Sequence, residues 1–512
     1  MRMVKPWRDR KGLWGLAVAG VAALFLCWIA IDVFKFSGDE GIYLEGGRRV
    51  ALGQQPYRDF FVLTGPLTFW IEGFLAWLSG NQLVVMRLPM ILDTAFLVWA
   101  VYWVCSRYTD ALFSAAAALT FLVYEARIPK LVVNHRWDSA ALAVAAIVAA
   151  LEAHRRESRT LWIVAGALAA LAAWATPTVL LVAVPLLLWA WWRGGLSLAA
   201  FGAGGVLVTA VAGAYLQWQH ALIPMLQSML WTGANYSVAN RMTYGQVINM
   251  AGSAADVHAV PFTDNVIWSV YILLAAILPI AAIVGWCLFQ WLSTDRIAWA
   301  ELLPLLGATL ALALSAWPRW TADELLYTAA LSSALCAALF YRLAPPRNRA
   351  AVGWILLLVA TAAAAPKAYA ALDLYPFQTR VGTVRGDGED ADLMERLERH
   401  VQAGDSLFAF PYLPPMYYLL QARNPTRYPY LQPGMMNARD EAEALAELSA
   451  APPRWVIYEN LPASAVLILW PGSDPARLPL LAMHRYLEDH YRDVETVDSR
   501  WGRFVVKERL PE

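Results

Sequence analysis

Two adjacent carboxylates, Asp39 and Glu40, stand just beyond a long apolar run, in SGDEGIYLEGGRRVALGQQPYRDFFVLTGP (37–66). Ionisable groups beside a membrane are costly, and are as a rule functional or paired. A carboxylate here can take a proton from a hydroxyl or hold a divalent metal against a phosphate. A solvated helix end is the plainer alternative. Further charged residues recur at comparable places along the chain. Arg58 and Asp59 sit in the same loop, ahead of Gly65-Pro66, and Arg127, Lys130, His135, Arg136 and Asp138 follow between two apolar runs. Arg319 and Asp323 lie in AWPRWTADELLY, and Arg241 in WTGANYSVANRMTYG. Taken singly, each cation reads as an interfacial snorkeller. As a set at headgroup depth they suit a lipid-borne phosphate, and the neighbouring carboxylates suit acid–base work.

The elements that must position these residues are membrane helices. The chain is 512 residues long, 59% hydrophobic and only 16% charged, whereas a soluble domain carries about 25% charged residues. Many runs reach the roughly 20 apolar residues that cross a hydrocarbon core. About eleven spans are expected, at 13–34, 84–105, 111–128, 138–153, 160–175, 177–192, 197–217, 266–290, 298–316, 323–342 and 350–372. The first reads as a retained helix, because its run is long and no A-x-A-like site follows. The net charge is zero, and nothing points to nucleic acid.

Basic loops then fix the sides. With Arg2, Lys5, Arg8, Arg10 and Lys11 in the cytoplasm, Arg107, the 154–159 loop, Arg193, Asp295-Arg296 and 342–349 also fall inside. This holds only if GPLTFWIEGFLAWLSG (65–80) is not a span. It carries Glu72, is bounded by Pro66 and Gly80, and reads as an amphipathic helix in the interface, with Glu72 facing water. The opening loop, 135–138, the long loop 217–265, 317–324 and everything beyond about 373 are then outside. The expected organisation is a transmembrane domain over 1–372, with interfacial helices in an outer loop at 35–83. An outer-face α/β domain follows over 373–512. Within it, DADLMERLERHV and RDEAEALAEL read as helices, and SLFAF, RWVIYE and GRFVVKE as strands. The protein is expected as a multi-pass protein of the inner (plasma) membrane, N-terminus cytoplasmic and C-terminal domain periplasmic or extracellular.

Other polar residues are assigned structural roles. Asp93, within a span, reads as a buried hydrogen-bonded residue, and Asp32 as a helix-end residue. The four cysteines (Cys27, Cys105, Cys287, Cys336) lie in apolar runs without framework spacing. No histidine has metal-ligand spacing, and the aromatics, including Trp70, Trp77 and Trp231, read as interfacial belts. No Walker A or Rossmann glycine pattern occurs.

GDEGIYLEGGRRVALGQQPYRDFFVLTGP, followed by an interfacial helix, resembles the first outer loop of GT-C fold glycosyltransferases. The likeness is to bacterial relatives of protein O-mannosyltransferases and lipid A aminoarabinose transferases. Asp39-Glu40, Pro66 and Arg87-Leu88-Pro89 match that family's acidic pair, proline-opened helix and R-L-P. Asp138 in NHRWDS matches a second acidic position, and Pro318, Arg319 and Asp323 a late turn. The stretch NPTRYPYLQPG is similar to that of uncharacterised bacterial members. The resemblance covers about residues 10–345 in arrangement. It implies a GT-C type bundle that transfers a sugar from a polyprenyl-phosphate donor to a glycan, lipid or protein acceptor among membrane lipids; direct attack by the acceptor hydroxyl would invert the anomeric centre. Asp39 would be general base or metal-associated carboxylate, the one place for a divalent metal ion, supported by Glu40. Asp138 would orient the sugar or acceptor, and Arg58 and Arg319 would bind the donor phosphate. Arg136 and Arg241 join them as phosphate cations from the charged cluster, and Tyr57, Asp59, His135, Asp323 and Asn235 as substrate-lining residues. The chain departs from aminoarabinose-type relatives in carrying Leu63, Thr64 and Gly65 where those have Glu-Lys, and Asn235 in place of a histidine. A lipid-linked sugar flippase and a non-catalytic scaffold are the competing classes.

Overall fold

The computed structural model describes residues 10–126, 131–246, 262–294 and 297–511. The candidate cations Arg127 and Lys130, and the inside-loop pair Asp295-Arg296, lie outside the described residues. Six described helices are long and apolar enough to cross a membrane: Lys11–Ile31, Leu83–Cys105, His135–Arg156, Gly195–Trp218, Val270–Leu292 and Pro346–Ala370. Shorter apolar helices, Ala111–Glu125, Arg159–Ala175, Pro177–Arg193, Trp299–Ser315 and Ala330–Leu343, fall where the other five spans are expected. The segment read as one span at 323–342 is split into Ala322–Tyr327 and Ala330–Leu343. Thr321 caps the first piece by accepting a hydrogen bond from the Glu324 N–H at 3.3 Å, which satisfies an otherwise orphan donor and fixes a helix start there.

The first outer loop is helical. Gly38–Ala51 starts at Ser37, whose hydroxyl accepts from the Glu40 N–H, and its first turn holds Asp39 and Glu40, where the helix dipole favours negative charge. Leu67–Ser79 follows, too short to span a bilayer, and ends at Gly80 in the left-handed conformation. Its inner face, Thr68, Phe69, Glu72, Gly73 and Ala76, packs on the first of the two helices. Phe74, Trp77 and Leu78 are exposed on the other side. Glu72 therefore does not face water as expected. It is 1% exposed, because the i, i+4 pattern Thr68–Glu72–Ala76 places it on the packed face, against Gly47.

Beyond Ala370 the chain forms a hairpin of β1 (Tyr375–Thr379) and β2 (Gly382–Gly386). A four-stranded mixed sheet comes next, from β3 (Leu407–Phe410), β4 (Trp455–Glu459), β5 (Tyr491–Ser499) and β6 (Gly502–Arg509). Its order is β3-β4-β6-β5; β3 pairs with β4 in parallel and the other pairs are antiparallel. Helices Gly388–His400 and Ala438–Ala450 each begin with a capping box. This region shares a core with the first outer loop. Phe34, Tyr43, Phe60 and Phe69 from the loop cluster with Val384, Leu407, Tyr417 and Phe504. Gly41 marks the closest approach: a Cβ there would lie 2.3 Å from the Pro415 nitrogen.

Candidate active site

A cavity of about 370 Å³ opens where the 35–83 loop, the ends of several helices and the C-terminal region meet. Four of the candidate site residues line it: Asp39, His135, Arg136 and Arg319. Asp39 is exposed in the first turn of its helix and accepts a hydrogen bond from the Tyr412 hydroxyl at 3.0 Å. Burial and the Asp39 charge push the Tyr412 phenol well above its ordinary range, so Tyr412 keeps its proton and acts as the donor. His135 opens its helix behind Asn134, and its Nδ1 is 2.6 Å from the Thr176 hydroxyl. Arg136 donates to the Ser315 carbonyl at 3.0 Å and its Nε is 2.8 Å from Glu324. The turn that carries Arg319 is tied to Met242 by two backbone hydrogen bonds, from the Met242 N–H to the Pro318 carbonyl and from the Trp320 N–H to the Met242 carbonyl.

Glu40 is not at the cavity. Arg87 clasps it from both sides at 2.8 and 2.7 Å, and the Val133 N–H donates to it at 3.1 Å. The pair is almost wholly buried, at 0% and 3% exposure. The same arginine donates to the Ala30 and Val33 carbonyls, so this salt bridge ties the end of the first helix to the outer loop. Glu40 is thereby a structural residue. Asp138 is also displaced from the cavity lining: one helical turn below His135 it accepts a hydrogen bond from the Thr68 hydroxyl. Asp93 hydrogen-bonds Asp138, in the structural role expected of it.

The other expected site residues lie elsewhere. Arg58 grips Asp59 through two bonds of 2.8 and 2.7 Å and donates to the Gln219 carbonyl. That ion pair holds the Asp59 carboxyl below its usual range. Adjacent residues are compact partners in one loop, so Arg58 spends its guanidinium on Asp59 and lines a neighbouring polar cleft of about 510 Å³, which shares only Phe61 and Val62 with the cavity. Tyr57 is buried, with its hydroxyl on the Thr64 carbonyl. Arg241 is exposed outside the cavity lining. Asp323 accepts from Tyr271, and Asn235 accepts from Arg477 at 3.2 Å. In AWPRWTADELLY it is Glu324, next to the expected Asp323, that reaches the cavity.

Residues the sequence reading passed over complete the walls. Tyr412, Tyr430, Gln432 and Trp470 come from the C-terminal region, and Tyr236 from the long outer loop. Burial pushes the Tyr236 phenol up to about 12. A signal existed for three of them: Tyr430 and Gln432 belong to NPTRYPYLQPG, and Tyr236 to WTGANYSVANRMTYG. The lining does not compose a donor set for a divalent ion. Asp39 accepts from Tyr412, Glu324 is paired with Arg136, and among the described residues no three His, Cys, Asp or Glu side chains converge.

Two apolar grooves adjoin this cavity. One, of about 730 Å³, runs between Arg159–Ala175 and Gly195–Trp218 and shares Pro177 and Met229 with the cavity. The two helices cross closely, since a Cβ on Gly166 would lie 1.9 Å from the Phe201 carbonyl oxygen. Small residues permit such an approach. The second groove, about 590 Å³, shares Pro177, Thr178 and Trp317 with it.

The chain matches no protein-family model, and no curated protein matches it either. Among solved structures it is similar to ArnT from Cupriavidus metallidurans bound to undecaprenyl phosphate. There the identity is 12% and the TM-score 0.57, covering 98% of this chain and 100% of that one. It is also similar to the oligosaccharyltransferase of Archaeoglobus fulgidus in complex with Zn and sulfate, at 12% identity and TM-score 0.53, covering 96% and 72%. The same protein tethered to an acceptor peptide containing the NVT sequon gives 12% and 0.52, covering 99% and 75%. At this identity the likeness is one of fold.

Proposed function

From a chain with the GT-C fold, we infer a membrane glycosyltransferase that moves a sugar from a polyprenyl-phosphate donor to a hydroxyl acceptor. The observation that carries the reading is the juxtaposition of a cavity that holds Asp39 and Arg319 with two apolar grooves that share Pro177 with it. A lipid phosphate needs both surfaces at once: a groove for the isoprenoid chain, and a cation beside water for the phosphate. Pockets with a few convergent polar groups are where ligands bind.

In this reading the isoprenoid lies in a groove and Arg319 meets the phosphate. Asp39 takes the proton from the acceptor hydroxyl as its oxygen attacks the anomeric carbon. The bond from that carbon to the phosphate oxygen breaks, and its electron pair leaves with the polyprenyl phosphate. A phosphate leaving group needs no strong acid when a cation meets its charge. Attack opposite the leaving group inverts the anomeric centre, with no covalent intermediate. Tyr412 orients Asp39 through its hydroxyl. No step is routed through a metal.

The test is transfer from radiolabelled polyprenyl-phosphate sugars to acceptors present in membranes containing the protein. Wild type gives labelled product, and Asp39→Asn lowers the rate by about 10²- to 10⁴-fold, the range for loss of a general base. Equal labelling by wild type and Asp39→Asn overturns the assignment of the base. Movement of the lipid sugar across liposomes without any transfer would favour a flippase.

A further inference from the structure

We propose that the C-terminal region supplies a sugar-reading wall of this cavity, with Gln432 as the residue that hydrogen-bonds a hydroxyl of a neutral sugar ring. The inference rests on the glycosyltransferase reading and goes further in assigning the recognition element.

Gln432 is 2% exposed, yet its side-chain Nε2 has no hydrogen-bond partner among the described residues. A buried amide group without a partner is costly and rare. This one lines the cavity, where a ligand hydroxyl would satisfy it. The backbone pins it in place: the Gln432 carbonyl accepts from the Met435 and Met436 N–H groups, and Leu431 donates to the Pro411 carbonyl at 2.8 Å. Beside it stands an aromatic corner, Tyr412 against Tyr430 and against Trp470, with ring centroids 4.8 and 5.1 Å apart. Rigid aromatic faces suit the C–H surface of a sugar ring, and their hydroxyls its edges. All four residues are uncharged. The wall they build suits a neutral ring, while Arg319 on a different element suits the phosphate. A site built to hydrogen-bond a substrate hydroxyl rejects analogues that lack it, because its own polar group is then left unpaired.

The ring could belong to the donor or to the acceptor, and the experiment separates them. The full-length protein in nanodiscs is titrated with undecaprenyl phosphate, and with undecaprenyl phosphate carrying glucose, mannose, galactose or arabinofuranose. It is then titrated with the methyl glycosides of the same sugars after saturation with undecaprenyl phosphate. Each is repeated with Gln432→Leu and Gln432→Glu.

The expected result is that wild type prefers at least one glycosylated lipid over the bare phosphate. Gln432→Leu reduces that preference by about two- to twelve-fold, the worth of one neutral hydrogen bond, and leaves bare phosphate binding intact. Retained phosphate binding also certifies that the variant is folded. A loss confined to a methyl glycoside supports the inference and assigns the ring to the acceptor. Unchanged binding of every sugar in both variants overturns the inference while the lipid-phosphate site stands. Failure of wild type to bind undecaprenyl phosphate above bulk phospholipid overturns the parent reading and this one with it.

Discussion

At the residue scale, the neighbours Asp39 and Glu40 do different work. One carboxylate is exposed at a helix start and touches a tyrosine hydroxyl; the other is sealed in a bidentate pair with Arg87. Adjacent positions on a helix point about 100° apart, so one can face the cavity while the next faces the core. Glu40→Ala would leave the Arg87 charge buried and uncompensated, which costs about 3–5 kcal/mol. The expected outcome is a large fall in thermal stability in detergent, while Asp39→Asn melts within about 0.5 kcal/mol of wild type, as substitutions outside the core do. Equal, small effects of both would contradict the division of roles. The sequence announced the acidic pair but not its split, because which of two adjacent residues meets an arginine 47 positions away is a tertiary fact. Arg58 taught the converse. It stood in the right loop, but a carboxylate one residue on captured it.

At the scale of elements, apolar runs marked the helices well, and the strands SLFAF, RWVIYE and GRFVVKE fall at β3, β4 and β6. What periodicity missed was packing. Glu72 looked like the wet side of an amphipathic helix, but Phe74, Trp77 and Leu78 take the outward face and leave it the inner one. The end of β4 offers a pH test away from the membrane. Burial raises the Glu459 carboxyl from 4.5 to about 7. A carboxyl raised in the folded state binds more protons than the unfolded chain between those two values. Stability is therefore present at the acid end of that window and is lost as pH rises through about 7, by at most roughly 1.4 kcal/mol per unit. The melting temperature of wild type should fall between pH 5 and pH 8 more steeply than that of Glu459→Gln. Parallel curves would show that this carboxyl does not contribute.

At the scale of the whole molecule, the cavity is a product of assembly. The outer loop, the 317–324 turn and the C-terminal region each bring part of its wall, and the C-terminal part could not be read from the sequence as a site. NPTRYPYLQPG stood out, yet only the fold brings Tyr430, packed in one cluster with Phe61, Tyr428 and Leu431, and Gln432 to the cavity that Asp39 lines. The resemblance carried by the first loop led to the same fold that the solved structures share. The central claim is that this assembly holds a lipid phosphate at Arg319. It is tested most directly by native mass spectrometry of the purified protein with undecaprenyl phosphate, comparing wild type, Arg319→Ala, Arg58→Ala and Asp39→Asn. The expected result is specific binding that Arg319→Ala loses and that Arg58→Ala and Asp39→Asn keep. Binding no greater than that of bulk phospholipid, or equally strong in Arg319→Ala, would contradict it.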